Sequence, residues 1–220
     1  DLASATIVHR MTAGWHGVDH VDELAVRVRS ANWDLRARVD SDPSLAGMAT
    51  TLTGLVVARG GGMLLVHTGD SRAYRLRDGE LTRQTRDDSL VQALIDQGVI
   101  GEAEARSHPR RNIVTASLAG ADDDRLWVID ADVAQGDRWL LCSDGVSDYL
   151  PDSVIDSALA SATHPDDAAG ALVRLAMDAG SRDNITAVVC DVAPGVPVAE
   201  PPRFAGAAAI VFDDALEDTA

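Results

Sequence analysis

No lysine occurs among the 220 residues; all 19 basic residues are arginine. A Walker loop ending in Gly-Lys-Ser/Thr, a Schiff-base enzyme and a lysine-activated nucleophile are therefore excluded. Positive charge is scarce altogether, since 35 acidic residues leave a net charge of −16. Duplex affinity comes largely from cations that neutralise phosphates, so broad nucleic-acid binding is not expected. Cysteine is limited to Cys142 and Cys190. Each sits in an apolar, strand-like run, where an inert buried thiol is expected rather than a disulfide. Aromatics make up only 4%, and Trp15, Trp33, Trp127 and Trp139 are too scattered for a stacking platform, so core or partial-core places are expected for them. No stretch reaches the ~18 consecutive apolar residues of a membrane span, and no charged-then-apolar leader opens the chain. A cytoplasmic, monomeric domain without a membrane span is the expectation.

What is present is a 46% hydrophobic chain, long enough for one domain with a full core and too short for two ordinary ones. Leu2, Ala5, Val8 and Met11 recur at helical spacing, as do Val21, Leu24, Val28 and Leu35 after a Gly-containing break, with Asp22 and Glu23 in the first turn. Two helices open the chain. Residues 50–58, 63–68 and 73–76 are short β-rich runs broken by glycine, and Asp78-Gly79 predicts a hairpin turn before Leu81. Asp88 or Ser89 caps a short helix carrying Leu90, Val91, Leu94 and Ile95, ended by Gly98. Residues 126–130 and 138–143 form a second β-rich stretch, two helices start near Pro151 and Pro165, and residues 185–191 form a last buried strand. Helices at both ends with hairpin-linked strands between them fit antiparallel sheets covered by helices, an α+β class.

Three aspartates share one context. Asp70 follows the run 63–68, Asp144 follows 138–143, and Asp183 precedes 185–191. A hard divalent cation needs such oxygen ligands, and strand ends can hold them converging with waters left over for chemistry. The plainer reading is that each is a turn residue, since Asp favours turns.

The words around them carry more. Gly47-Met48-Ala49-Thr50-Thr51, Gly69-Asp70-Ser71-Arg72, the segment from Asp88-Ser89-Leu90-Val91 to His108-Pro109-Arg110-Arg111-Asn112, Ser143-Asp144-Gly145 and Asp183-Asn184-Ile185-Thr186 occur in that order. In this the chain resembles the metal-dependent protein serine/threonine phosphatase (PPM) family of the bacterial type. The resemblance implies two antiparallel β-sheets packed as a sandwich with helix pairs on the outside. It places a catalytic domain at 1–192, while Pro194, Pro197, Pro201 and Pro202 and the composition beyond them mark 193–220 as a Pro/Ala-rich linker with an acidic tail. Asp144 and Asp183 become ligands of a two-metal manganese or magnesium centre, Asp70 with Asp144 holds a third ion, and residues 88–112 form a mobile flap. The expected reaction is in-line hydrolysis of phosphoserine or phosphothreonine on proteins, opposing serine/threonine kinases, with those kinases and their substrates as partners. No catalytic residue beyond the metal ligands is implied.

The family also uses an early Arg that grips phosphate and an early Asp-Gly whose aspartate bridges two metals; residues from Asp1 resemble the helix just after that segment. The missing strands are expected upstream in the natural protein, the alternative being a non-catalytic binding or regulatory module. A two-carboxylate glycoside hydrolase is disfavoured because no aromatic platform neighbours the acids. His108, Arg110 and Arg111 are candidate substrate contacts on the flap, against a plain solvated-loop reading. Arg72 is expected to partner nearby carboxylates rather than clamp phosphate. His16 and His20, four apart beside Gly17, read as a solvated loop rather than a zinc pair.

Overall fold

The computed structural model describes residues 2–195 together with Ala205 and Ala209. Asp1 and the greater part of the expected 193–220 tail, including Pro197, Pro201 and Pro202, lie outside the described residues. The chain divides into two compact units, one built from residues up to Val66 with Ser117–Ala131, the other from His67–Ala116 with Asp132–Gly195. Two antiparallel sheets, one of three strands and one of four, and several helices give the expected α+β class.

The first unit opens with helices α1 (Leu2–Thr12) and α2 (Val21–Ser41), which pack on each other. Strands β1 (Leu52–Val57), β2 (Met63–Thr68) and β5 (Trp127–Ala131) form its sheet in the order β1-β2-β5, the last residues of β2 leading into the second unit. Leu24, Val28, Ala31 and Leu35 recur on one stripe of α2, and the first three pack with Ile7, Val18, Leu64, Val66 and Leu118 in one core. The turn between the helices is closed by Arg27, which donates to the carbonyls of Met11 (3.1 Å) and Ala13 (3.0 Å) and lies over the Trp15 ring at 5.2 Å. His20 is the N-cap of α2, and Asp19 accepts from Arg59 at 2.9 Å.

The second unit carries β3 (Arg72–Arg77), β4 (Glu80–Arg83), β6 (Arg138–Cys142) and β7 (Ala187–Asp191) in the order β4-β3-β6-β7. The β3–β4 turn is the predicted two-residue hairpin. Asp78 at φ 52° and Gly79 at φ 79° both take the left-handed conformation, and Arg77 pairs with Glu80. Helices α6 (Asp152–Ser161) and α7 (Pro165–Asp178) bury Ile155, Leu159, Ala168, Leu172 and Ala176 in a core with Tyr74, Leu140, Cys142 and Val146. Pro165 occupies the first turn of α7 as expected, whereas Pro151 is the N-cap of α6. Ser89, not Asp88, caps α3 (Leu90–Asp96) by accepting from the Gln92 N–H at 3.2 Å. Two short helices escaped the sequence reading, α4 (Glu102–Ser107) and the single turn α5 (Asp144–Ser147).

Two core assignments fail for the same geometric reason. Trp139 is fully buried, but Trp33 is 65% and Trp127 56% exposed, and Trp15 is also on the surface. Trp33 stands two residues beyond Ala31, about 200° around the helix from the buried stripe. Trp127 lies next to the core-packed Val128, so strand alternation turns it outward. Cys190 is likewise exposed, because its neighbour Val189 takes the inward position on β7; Cys142 is buried, and both thiols are free. Residues 52–57 rather than 50–58 form β1, with Thr50 making an isolated bridge to Leu118, and the last strand starts at Ala187 rather than Ile185.

The loop after Leu118 is held on α2 by the buried Asn32. Its amide donates to the Ala121 carbonyl (3.0 Å) and Asp124 (2.9 Å) while its oxygen accepts from the Gly120 N–H (2.8 Å). Gly120 has φ 86°, and a Cβ there would meet the Arg36 backbone at 2.8 Å. Gly136 has a similar φ of 94° with nothing within 4 Å. Gly120→Ala should therefore lose about 2–4 kcal/mol of stability and Gly136→Ala only about 1 kcal/mol, read from urea unfolding midpoints. Equal costs at the two positions would show that the Arg36 approach is not the constraint.

Candidate functional site

Three acidic turns meet one end of the four-stranded sheet because β6 runs antiparallel to both neighbours. Cys142, the last residue of β6, pairs with Arg72 at the start of β3 and with Ala187 at the start of β7. Asp70 stands two residues before β3, Asp144 two after Cys142, and Asp183 four before β7. The antiparallel ladder thus delivers Asp70, Asp144 and Asp183 to the same edge.

Local bonds set each turn. Gly69 has φ 106°, its N–H donates to Asp88 Oδ2 (3.2 Å), and the Asp88 N–H donates back to the Gly69 carbonyl (2.7 Å). Asp144 opens α5, where its carboxylate accepts from the Gly145 N–H at 2.9 Å. Asp183 accepts from the Asn184 N–H at 2.7 Å. The last two turns are stitched together: Ser143 donates its hydroxyl to the Asn184 carbonyl (2.9 Å) and accepts from the Thr186 N–H (3.0 Å), and Ser181 donates to the Gly145 carbonyl (2.9 Å). Gly145 has no substitute here, since a Cβ would lie 2.5 Å from the Asn184 carbonyl oxygen.

The carboxylates repel one another. Burial first, then the charges of Asp144 and Asp87, push Asp70 up to about 6. Asp144 is raised by burial and by Asp183, and Asp148, one helical turn after Asp144, is raised by burial against the counter-pull of Arg72. Among the described residues, no three His, Cys, Asp or Glu side chains converge closely enough to hold an ion unaided. What the edge offers is coupled pairs, Asp144 with Asp183 and Asp70 with Asp144. An all-carboxylate donor set of this kind suits a hard divalent cation that keeps several waters.

Arg72 behaves as expected of a structural partner. It donates from Nε and Nη2 to Asp87, at 2.7 Å for Nη2, and from Nη1 to the Tyr74 hydroxyl at 3.2 Å. Arg83 donates to the other Asp87 oxygen at 2.5 Å. Of the flap candidates, Arg111 lies 3.9 Å from Asp148. His108 closes α4 and accepts from the Arg110 N–H through Nδ1 at 3.1 Å, and Arg110 is exposed. Asp87, Asp148 and Arg83 were missed from sequence. Asp148 had a legible signal, four residues after Asp144 on the same helix face; Asp87 had none, since its role depends on two arginines brought in by β3 and β4.

No family model matches the chain. It is 44% identical over 176 residues to the serine/threonine protein phosphatase PstP of Mycobacterium tuberculosis, a match covering 80% of this chain and 34% of PstP, so the chain spans about a third of that relative. The crystal structure of the catalytic domain of PstP in complex with two manganese ions superposes with a TM-score of 0.75 at 40% identity, over 88% of this chain and 80% of that one. The PPM Ser-Thr phosphatase MsPP of Mycobacterium smegmatis, in complex with cacodylate, gives 0.73 at 35% identity over 86% and 80%. The chain belongs to the PPM family of serine/threonine phosphatases.

The repulsion has a measurable consequence in divalent-free buffer. A carboxyl raised from 3.8 to about 6 binds more protons in the folded state, so its penalty is absent below about pH 4 and complete above about pH 6. Asp70→Asn should raise the Tm of the metal-free protein by about 2–4 °C at pH 7, and the gain should vanish as the pH falls to 4. A variant no more stable than the wild type at pH 7 would show that Asp70 carries no such penalty.

Proposed function

We propose that residues 1–192 are the catalytic domain of a protein phosphatase that hydrolyses phosphoserine and phosphothreonine on proteins. Manganese or magnesium would be held by Asp144 and Asp183, and a further ion by Asp70 together with Asp144. The observation that supports this best is the gathering of the three acidic turns at one sheet edge, in a family whose member PstP has a catalytic domain that binds two manganese ions. Divalent cations in such a place supply an acidic water as nucleophile and stabilise charge on the phosphoryl group.

The chain's own residues do the rest. The Ser143–Asn184–Thr186 bonds and the close approach of Gly145 to Asn184 fix the spacing of Asp144 and Asp183, so the ligands need little reorganisation. Asp87 engages both Arg72 and Arg83, which keeps those guanidiniums out of the reaction centre. Arg111, with a longer pairing to Asp148, is the arginine placed to meet an incoming phosphate oxygen, with His108 and Arg110 beside it on the flap. The substrates are phosphorylated proteins, among them serine/threonine kinases and their targets, met in the cytoplasm by a monomer. Among the described residues no helix is long and apolar enough to cross a membrane.

In the natural full-length protein, Asp144→Asn or Asp183→Asn should lower manganese-dependent hydrolysis of a phosphothreonine peptide by about a thousandfold with the circular dichroism spectrum unchanged. Turnover by Asp144→Asn at the wild-type rate would remove that residue from the metal centre. A wild-type protein that binds the peptide without turning it over would make the chain a binding module instead.

A further inference from the structure

A cavity of ≈190 Å³ lies between α3, α4 and the end of α5, with Asp70 on its wall. Two of the residues that line it carry buried polar atoms without hydrogen-bond partners among the described residues, the hydroxyl of Ser147, a residue only 2% exposed, and the Nε–H of Arg83. An Nε–H can only donate, so the missing partner is an acceptor oxygen. Arg83 cannot turn away to satisfy it, because Nη2 is committed to Asp87 at 2.5 Å.

The same cavity has two arginines at its mouth whose present pairings are loose. Arg106 lies 4.0 Å from Asp152 and Arg111 3.9 Å from Asp148, with the arginine side chains 43% and 38% exposed. Those distances are too long for hydrogen bonds, so either guanidinium can donate to a better-placed oxygen without breaking one. The tight pairs lie deeper, at Arg72 and Asp87.

We propose that this cavity is a subsite for an acidic side chain of the substrate, a carboxylate flanking the phosphorylated residue, held by Ser147, Arg83 and Arg106, with Arg111 left to the phosphate; it rests on the phosphatase reading of the adjoining edge. The acids on the same wall, Asp70, Glu102, Asp148 and Asp152 together with the arginine-paired Asp87, disfavour a free anion from solution. A carboxylate tethered to a bound phosphopeptide arrives at a high effective concentration and overcomes that opposition. Its size suits the space, which holds a carboxylate and a few waters at ~30 Å³ per water.

The test uses the natural full-length protein with manganese and phosphothreonine peptides carrying Glu or Ala at each of the neighbouring positions. One position should show a Glu preference in kcat/KM of about tenfold, mainly through KM, since charge-assisted hydrogen bonds to a buried donor are among the strong ones. Ser147→Ala and, independently, the surface change Arg106→Gln should bring that ratio close to one. A purely structural role would lower both peptides alike and leave the ratio intact, which overturns the proposal, as does a wild-type enzyme with no preference at any position. Inorganic phosphate that inhibits both peptides equally, with no Glu preference, would assign the cavity to free phosphate. Hydrolysis of a small chromogenic phosphate by the wild type separates the two readings: activity there without a flanking preference defeats only the subsite, and no activity defeats the phosphatase reading beneath it.

Discussion

Gathering carboxylates of one sign at a sheet edge is unfavourable, and the second unit is arranged around holding them there. Among the described residues neither Asp70 nor Asp144 has an arginine of its own in an ion pair, while each feels the charge of another acid at the edge. Their positions therefore come from backbone rather than from attraction between side chains. The β3–β6–β7 ladder sets three strand ends level, and the fully buried Tyr74, Trp139 and Leu140 fix its register. A slip of one residue would turn Leu140 out of the core and carry Asp144 to the opposite face. The Ser143 and Ser181 bonds then remove the remaining freedom between the Asp144 and Asp183 turns.

Arginine alone supplies the counter-charge in this lysine-free chain, and its planar fork explains how a few cations suffice. Asp87, almost fully buried, receives Nε and Nη2 of Arg72 on one side and Nη2 of Arg83 on the other. At the far end of β3, Arg75 and Arg77 share Asp132, and Arg77 also holds the buried Asp137 at 2.6 Å. A compact ammonium could not make these two-pronged contacts. The paired arginines thus tie β3 to the loops around it at both ends, whereas Asp70, Asp144 and Asp183 at the candidate metal centre have no such partner among the described residues.

The elements were legible where periodicity or a turn residue marked them. The stripe Leu24–Val28–Leu35 gave α2, and Asp78-Gly79 gave the hairpin. Asp70, Asp144 and Asp183 could each be placed at a strand edge, but that the three edges coincide depends on β6 pairing with both β3 and β7, a long-range fact that no local pattern carries. Trp33 and Cys190 went astray because residue type was weighed over position: each is apolar, yet Trp33 lies two residues past the inward Ala31 of its helix and Cys190 one past the inward Val189 of its strand. The one-turn helix α5 was hidden because four residues are too few to show a period, and only the four-residue spacing from Asp144 to Asp148 hinted at it. The orphaned Ser147 hydroxyl is invisible in sequence altogether, since it depends on what fails to reach it.

Rigidity and adaptability are divided along one line in the second unit. On the sheet side, ion pairs are short and buried, with Arg72 and Asp87 at 2.7 Å and both side chains largely shielded. Exchange of partners there would leave a buried charge uncompensated, so these contacts hold a single arrangement. On the α4 side and just beyond it, Arg106 and Arg111 sit near 4 Å from their acids and half in water, where such pairs contribute little. Their geometry can change at small cost. The boundary between the two regimes runs through the cavity whose wall carries both Asp70 and Arg111, so the carboxylates stay in register while the pairings beside them can change.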